Sequence, residues 1–213
     1  MKRHLVSIGC AAAALLASAL PARAANPVFD FENQPIVTET PFGLVNSGYT
    51  ATFIGAANVD PGAFAISSNF VGPTGFAYQS MSGDFLTIGS AFGASGAALT
   101  VTFSAPISGF SVDFGLDDLA NANTRRLSFT TNAGATGSAA GALTSGFRYP
   151  EGTLSFAGPA FSMLTFQSNA IDFQLDNLRI TPAVPEPSSY ALLGAGMGAV
   201  AFVRRRTARK TAA

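Results

Sequence analysis

Between residues 25 and 183 the chain alternates apolar and polar residues in short runs, with no stretch of helical period between them. Val28-Phe29-Asp30-Phe31-Glu32, Leu99-Thr100-Val101-Thr102-Phe103 and Phe110-Ser111-Val112-Asp113-Phe114 show the pattern most clearly, the last two separated by a predicted turn at Ala105-Pro106. Tyr49–Ile54, Phe85–Ile88, Arg126–Thr130, Met163–Gln167 and Ile171–Ile180 continue it. A period of two puts alternate side chains on opposite faces of a strand, so each run can bury one face and wet the other. Eight or more such runs, punctuated by Gly, Pro, Asn and Asp, predict an all-β fold: an antiparallel β-sandwich of jelly-roll type over residues 25–180. The chain's 19 phenylalanines supply bulk for the space between two sheets.

The last run contains a phase slip. Ile171, Phe173 and Leu175 share one face, whereas Leu178 and Ile180 share a face out of step with them. A bulge near Asp176-Asn177 would restore the register. Residues 131–146 are almost all small and read as a loop or a weak hairpin.

The ends differ from this body. Lys2, Arg3 and His4 precede an apolar stretch from Leu5 to Leu20, followed by Ala22-Arg23-Ala24. Residues 1–24 therefore read as a helical secretory signal peptide cut before Ala25, which makes the Sec translocon a partner during export. Residues 181–189 form a linker rich in Pro and Ser, residues 190–203 an uncharged apolar helix, and residues 204–213 a basic tail. Fourteen helical residues span about 21 Å against a hydrocarbon core of ~30 Å, so residues 190–203 make a marginal single transmembrane helix. Arg204, Arg205 and Arg206 would hold the tail in the cytoplasm, leaving the body outside the inner membrane.

Val184-Pro185-Glu186-Pro187-Ser188, the apolar helix and Arg204-Arg205-Arg206, in that order, resemble the PEP-CTERM sorting signal of exported proteins of Gram-negative bacteria. The resemblance implies recognition by an exosortase, a membrane-embedded cysteine protease-transpeptidase, with removal of the tail near Pro185-Glu186-Pro187. It further implies residence at the cell surface or in an exopolysaccharide or biofilm matrix. A permanent, uncut anchor is the alternative. The opening F-x-F-E strand and the closing Leu175–Ile180 strand also distantly resemble galactose-binding-like carbohydrate modules.

Composition narrows the chemistry. The only Cys and His are Cys10 and His4, so the body holds no thiol, no imidazole and no disulfide. Serine and cysteine triads and His/Cys metal sites are excluded there. The body sets four arginines against eleven acids, a formal charge of −7 without a lysine, which excludes nucleic acid as a partner. A non-catalytic role is expected, with a carboxylate-dependent enzyme acting on matrix polysaccharide as the alternative.

Two oxygen-rich groups are candidate structural calcium sites. One is Asp117, Asp118, Asn121 and Asn123, set against the reading of a solvated turn. The other is Asp30 or Glu32 meeting Asp172 or Asp176 where the terminal strands pair. For glycan contact, Tyr49, Tyr78, Arg125 and Arg126 are available, and Arg148 and Tyr149 form the densest group.

Overall fold

The computed structural model describes residues 26–34, 40–56, 59–68, 71–72, 75–90, 96–117 and 124–183, with Gly196 and Gly198. The signal segment with Ala22, Ala24 and Ala25 lies outside these residues. So do Pro185, Glu186, Pro187 and Arg204–Arg206 of the sorting signal. Of the expected C-terminal helix only Gly196 and Gly198 are described, and both are helical. No described helix is long and apolar enough to cross a membrane.

The described body is built of antiparallel strands: β1 (Val28–Phe29), β2 (Phe42–Asn46), β3 (Tyr49–Gly55), β4 (Val59–Ser68), β5 (Val71–Gly72), β6 (Gly75–Phe76), β7 (Asp84–Ser90), β8 (Ala98–Asp117), β9 (Arg126–Thr131), β10 (Thr136–Ala140), β11 (Glu151–Ser168) and β12 (Asp172–Pro182). Ten of them form one branched hydrogen-bonded path, with β1, β2 and β3 off its main line, and β5 and β6 form a separate ribbon.

The two longest strands divide that path into two layers. Residues 98–103 of β8 pair with β3 on one side and with residues 163–167 of β11 on the other. Residues 107–117 pair instead with residues 151–161 of β11 and with β12. The first sheet therefore runs β2-β3-β8-β11-β9-β10, and the second runs β11-β8-β12-β7-β4. Register shifts between Ala157 and Phe161, and again between Phe161 and Met163, mark the corner where both strands pass from one sheet to the other. Strands that change sheets at bulges are how a continuous sheet closes over its own core.

This corrects the predicted turn at Ala105-Pro106, because β8 continues through it. Pro106 has no N–H to give a ladder and sits in the stretch of β8 that pairs with neither neighbour. The chain bends there instead of reversing.

The core lies between the layers. Phe110 of the second sheet meets Phe129 and Phe166 of the first edge-on, at 5.1 and 5.6 Å between ring centres. At the far side Phe42 stacks on Phe53 at 5.0 Å and meets Phe64 edge-on at 5.8 Å. Such aromatic pairs add roughly 0.5–1.5 kcal/mol each beyond their buried area. The anticipated bulge is present: the β12–β8 register breaks between Asp176 and Arg179, and Asn177 takes a positive φ of 51°. Phe173, Leu175, Leu178 and Ile180 consequently all face the core. Residues 131–146 resolve into the β9–β10 hairpin and the start of the loop leading to β11.

Candidate functional site

The outer face of the second sheet carries a group of acidic residues. Strand alternation puts Phe114 and Leu116 inward and Asp113, Gly115 and Asp117 outward. On β12 the same rule sends Asp172, Gln174 and Asp176 outward, opposite Asp117, Gly115 and Asp113 respectively. Residues 77–83 fold across this face. Tyr78 lies over Gly115, where a side chain would occupy the space of its ring. The Tyr78 hydroxyl donates to Gln174 Oε1 at 2.6 Å. Glu151 Oε2 fixes the same loop, accepting from the Gln79 and Ser80 amides and the Ser80 hydroxyl, each at 2.8 Å. Tyr78, Met81 and Phe85 form a small apolar cluster against which Tyr149 packs.

Tyr149 reaches this position through the loop before β11. The Arg148 and Tyr149 amides both donate to the Ala77 carbonyl, at 3.2 and 3.3 Å. The Tyr149 ring lies 5.6 Å from that of Tyr78, and the exposed Arg148 guanidinium sits 5.2 Å from the Tyr149 centroid. Partial burial and the Asp117 carboxylate, which accepts a hydrogen bond from the Tyr149 hydroxyl, push that phenol above its usual range, while Arg148 opposes the shift. Burial, then Asp117 and the other nearby acids, keeps Tyr78 neutral far beyond the ordinary tyrosine range. The site thus offers a half-exposed aromatic face and a guanidinium from one short segment, with a carboxylate from the end of β8. An apolar ring flanked by donors and acceptors suits a flat ligand that has both C–H faces and hydroxyls.

Arg148 and Tyr149 are therefore brought together, with Asp117 and Tyr78 added. Tyr49 packs instead against the main core. Arg125 donates to the Asn169 carbonyl at 2.6 Å, and the Arg126 amide donates to Asn169 Oδ1 at 2.8 Å. Glu151, Gln174 and Gly115 were not singled out beforehand. A glycine inside an apolar strand was the available signal, since it often marks close approach of another group.

The carboxylates are divided among separate partners. β1 pairs with β12 as expected, Val28 opposite Arg179. This pairing brings Glu32 near Asp176 but leaves Asp30 exposed, while Asp172 opens β12, farther from β1. Asp176 is 1% exposed, and burial pushes its carboxyl up to about 7. The Asn177 and Ser82 amides lower it, whereas nearby Glu32 and Asp113 raise it further. Asp113 accepts from Thr153 Oγ1 at 2.8 Å and pairs with Arg179 at 3.3 Å. Among the described residues no group of three or more acids, histidines or cysteines is placed to hold a metal ion. Asp118, Asn121 and Asn123 of the other calcium candidate lie outside the described residues.

The fold thus defines an all-β antiparallel sandwich whose second sheet bears a loop-covered polar face. The chain also carries a sorting signal: residues 183–206 match the family model of the PEP-CTERM protein-sorting motif, which marks an exported protein sorted to the surface by exosortase. No curated protein matches the chain. Among solved structures it is similar to an exo-beta-agarase, with TM-score 0.41 and 14% identity over 77% of this chain and 26% of that one. It is also similar to the tandem CBM22-1-CBM22-2 domain of Paenibacillus barcinonensis Xyn10C, with TM-score 0.39 and 12% identity over 79% of this chain and 50% of that one. The K1 cleaved adhesin domain of Lys-gingipain from Porphyromonas gingivalis gives TM-score 0.40 and 10% identity over 75% of this chain and 99% of that one. The chain spans about a quarter of the agarase and half of the tandem module.

Proposed function

We propose that the protein is a non-catalytic β-sandwich that acts at the cell surface or in the exopolysaccharide matrix and contacts glycan through Arg148 and Tyr149. The observation carrying this reading is the Tyr149 ring, backed by Tyr78, flanked by Arg148 at 5.2 Å and bonded to Asp117. A sugar ring would stack on the open part of Tyr149, with its hydroxyls donating to Asp117 and accepting from Arg148. Before processing, the C-terminal segment would tether the precursor to the inner membrane.

A glycan array comparing wild type with Tyr149→Ala and Arg148→Ala tests the site. Retention that both substitutions weaken supports the reading, and no retention of any polysaccharide, with or without calcium, removes it. Sorting is tested separately by mass spectrometry of the exported protein in an exosortase-bearing host. Loss of Arg204–Arg206 is expected, whereas a tail kept intact would make the segment an anchor.

A further inference from the structure

The strands distribute charge unequally between the two sheets. The second sheet carries Asp84, Asp113, Asp117, Glu151, Asp172 and Asp176. The strand segments of the first sheet carry a single charged residue, Arg126, at the start of β9. On the outer face of this first sheet the registers align Ile54, Thr100, Thr165, Thr130 and Thr136 in one row across five strands. A second row holds Thr52, Thr102 and Met163. Neighbouring positions lie ~4.8 Å apart across the strands and ~6.8 Å apart along them. The Thr100 and Thr165 hydroxyls are 3.1 Å apart, so the row is ordered. Val45, Ile54 and Met163, three of the five exposed large apolar residues among those described, lie on this face, at 75%, 37% and 39% exposure.

We infer that this face, whose one charge among the described strand residues is Arg126 at its rim, is a second binding surface, fitted to a flat array of neutral polysaccharide chains. The charge pattern selects the ligand. An ionic group laid on the threonine rows, away from Arg126, would lose water without finding a partner. The body's formal charge of −7 also opposes any anionic polymer. Threonine hydroxyls both donate and accept, as sugar hydroxyls do, and the threonine methyls with Ile54 and Met163 cover C–H surface. A broad face binds through many weak contacts repeated along packed chains, not by enclosing one oligosaccharide. A second copy of this chain is the poorer occupant. Six strands about five residues long present roughly 500 Å², below the ~800 Å² per partner of a standard stable interface.

This surface rests on the exported, glycan-contacting reading but not on Arg148 and Tyr149, and the test separates the two. The full-length chain in detergent is mixed with microcrystalline cellulose, with soluble cellohexaose and alginate as comparators. Retention on cellulose is expected, little changed by salt and not matched on alginate. Thr100→Lys with Thr130→Lys should weaken it by about tenfold or more, because buried ammonium groups would go unpaired. Tyr149→Ala, on the other sheet, should leave it unchanged. Thr130→Lys alone, at an exposed position, serves if the pair does not fold. Absence of retention, or retention indifferent to lysines in a folded variant, overturns the inference. So does a wild-type dimer in sedimentation that the lysines abolish, which would assign the face to a second copy.

Discussion

Gly115→Ala tests whether the loop over the second sheet is seated as described. A methyl at this position would lie 2.7 Å from both Cδ1 and Cζ of Tyr78, and closer still to Cε1. Carbon atoms in contact prefer ~3.5–4.0 Å, so the ring must move by about 1 Å. It has little room to do so. Phe85 meets it edge-on at 5.5 Å, Tyr149 lies 5.6 Å away, and its hydroxyl is tied to Gln174. Overpacking of this kind costs about 1–3 kcal/mol. Displacing the hydroxyl removes a hydrogen bond worth ~1 kcal/mol and leaves the buried Gln174 carbonyl unpaired. Replacing a strand glycine by alanine returns roughly 0.5–1 kcal/mol. The net expectation is a loss of about 2–3 kcal/mol, a drop in Tm of roughly 5–10 °C for a domain of this size. Denaturant melts followed by circular dichroism would measure it, with the same substitution repeated in a Tyr78→Ala background. There the loss should vanish or reverse, because the clashing ring is gone. An equal loss in both backgrounds would show that the penalty comes from the sheet itself, and no loss in either would show that Tyr78 does not lie on Gly115.

Three further expectations follow from the same face. Glu151→Gln weakens the anchor that receives three donors, so the Gln79 and Ser80 amides should exchange hydrogen faster while the β8 amides remain protected. For Asp176, a folded-state value near 7 exceeds the ordinary 3.8, so the native state holds a proton that the unfolded chain has released. Its contribution to stability is therefore complete below about 4 and is lost as pH rises to about 7; urea midpoints should fall across that window, and Asp176→Asn should flatten the fall. Asn177 holds a left-handed conformation at the bulge, so Asn177→Gly should be nearly neutral, whereas Asn177→Val should cost about 1–2 kcal/mol in the same melts.

Much of the architecture was legible because its physics is local. Alternation marked the strands at Leu99–Phe103, Phe110–Phe114 and Met163–Gln167, since one buried face imposes a period of two. The phase slip after Leu175 located the bulge at Asn177, because a core face must be recovered within one strand. The turn expected at Ala105-Pro106 went the other way: a proline breaks a ladder only where its N–H is needed, and whether neighbours pair there depends on distant strands. Arg148 and Tyr149 were visible as a dense local group. Their partner Tyr78 was visible as a tyrosine but not as a neighbour, because some seventy residues separate it from them.

The sequence by itself determined the strands, the −7 body and the sorting signal at residues 183–206, all of which depend on residues close together in the chain. Only the tertiary structure decided that Tyr78 roofs Gly115, that Glu151 holds the covering loop, and that the runs without acids meet on one sheet while the acids gather on the other. Register and sheet exchange govern these placements. They are settled by contacts between residues far apart in the chain, where no local pattern records the partner.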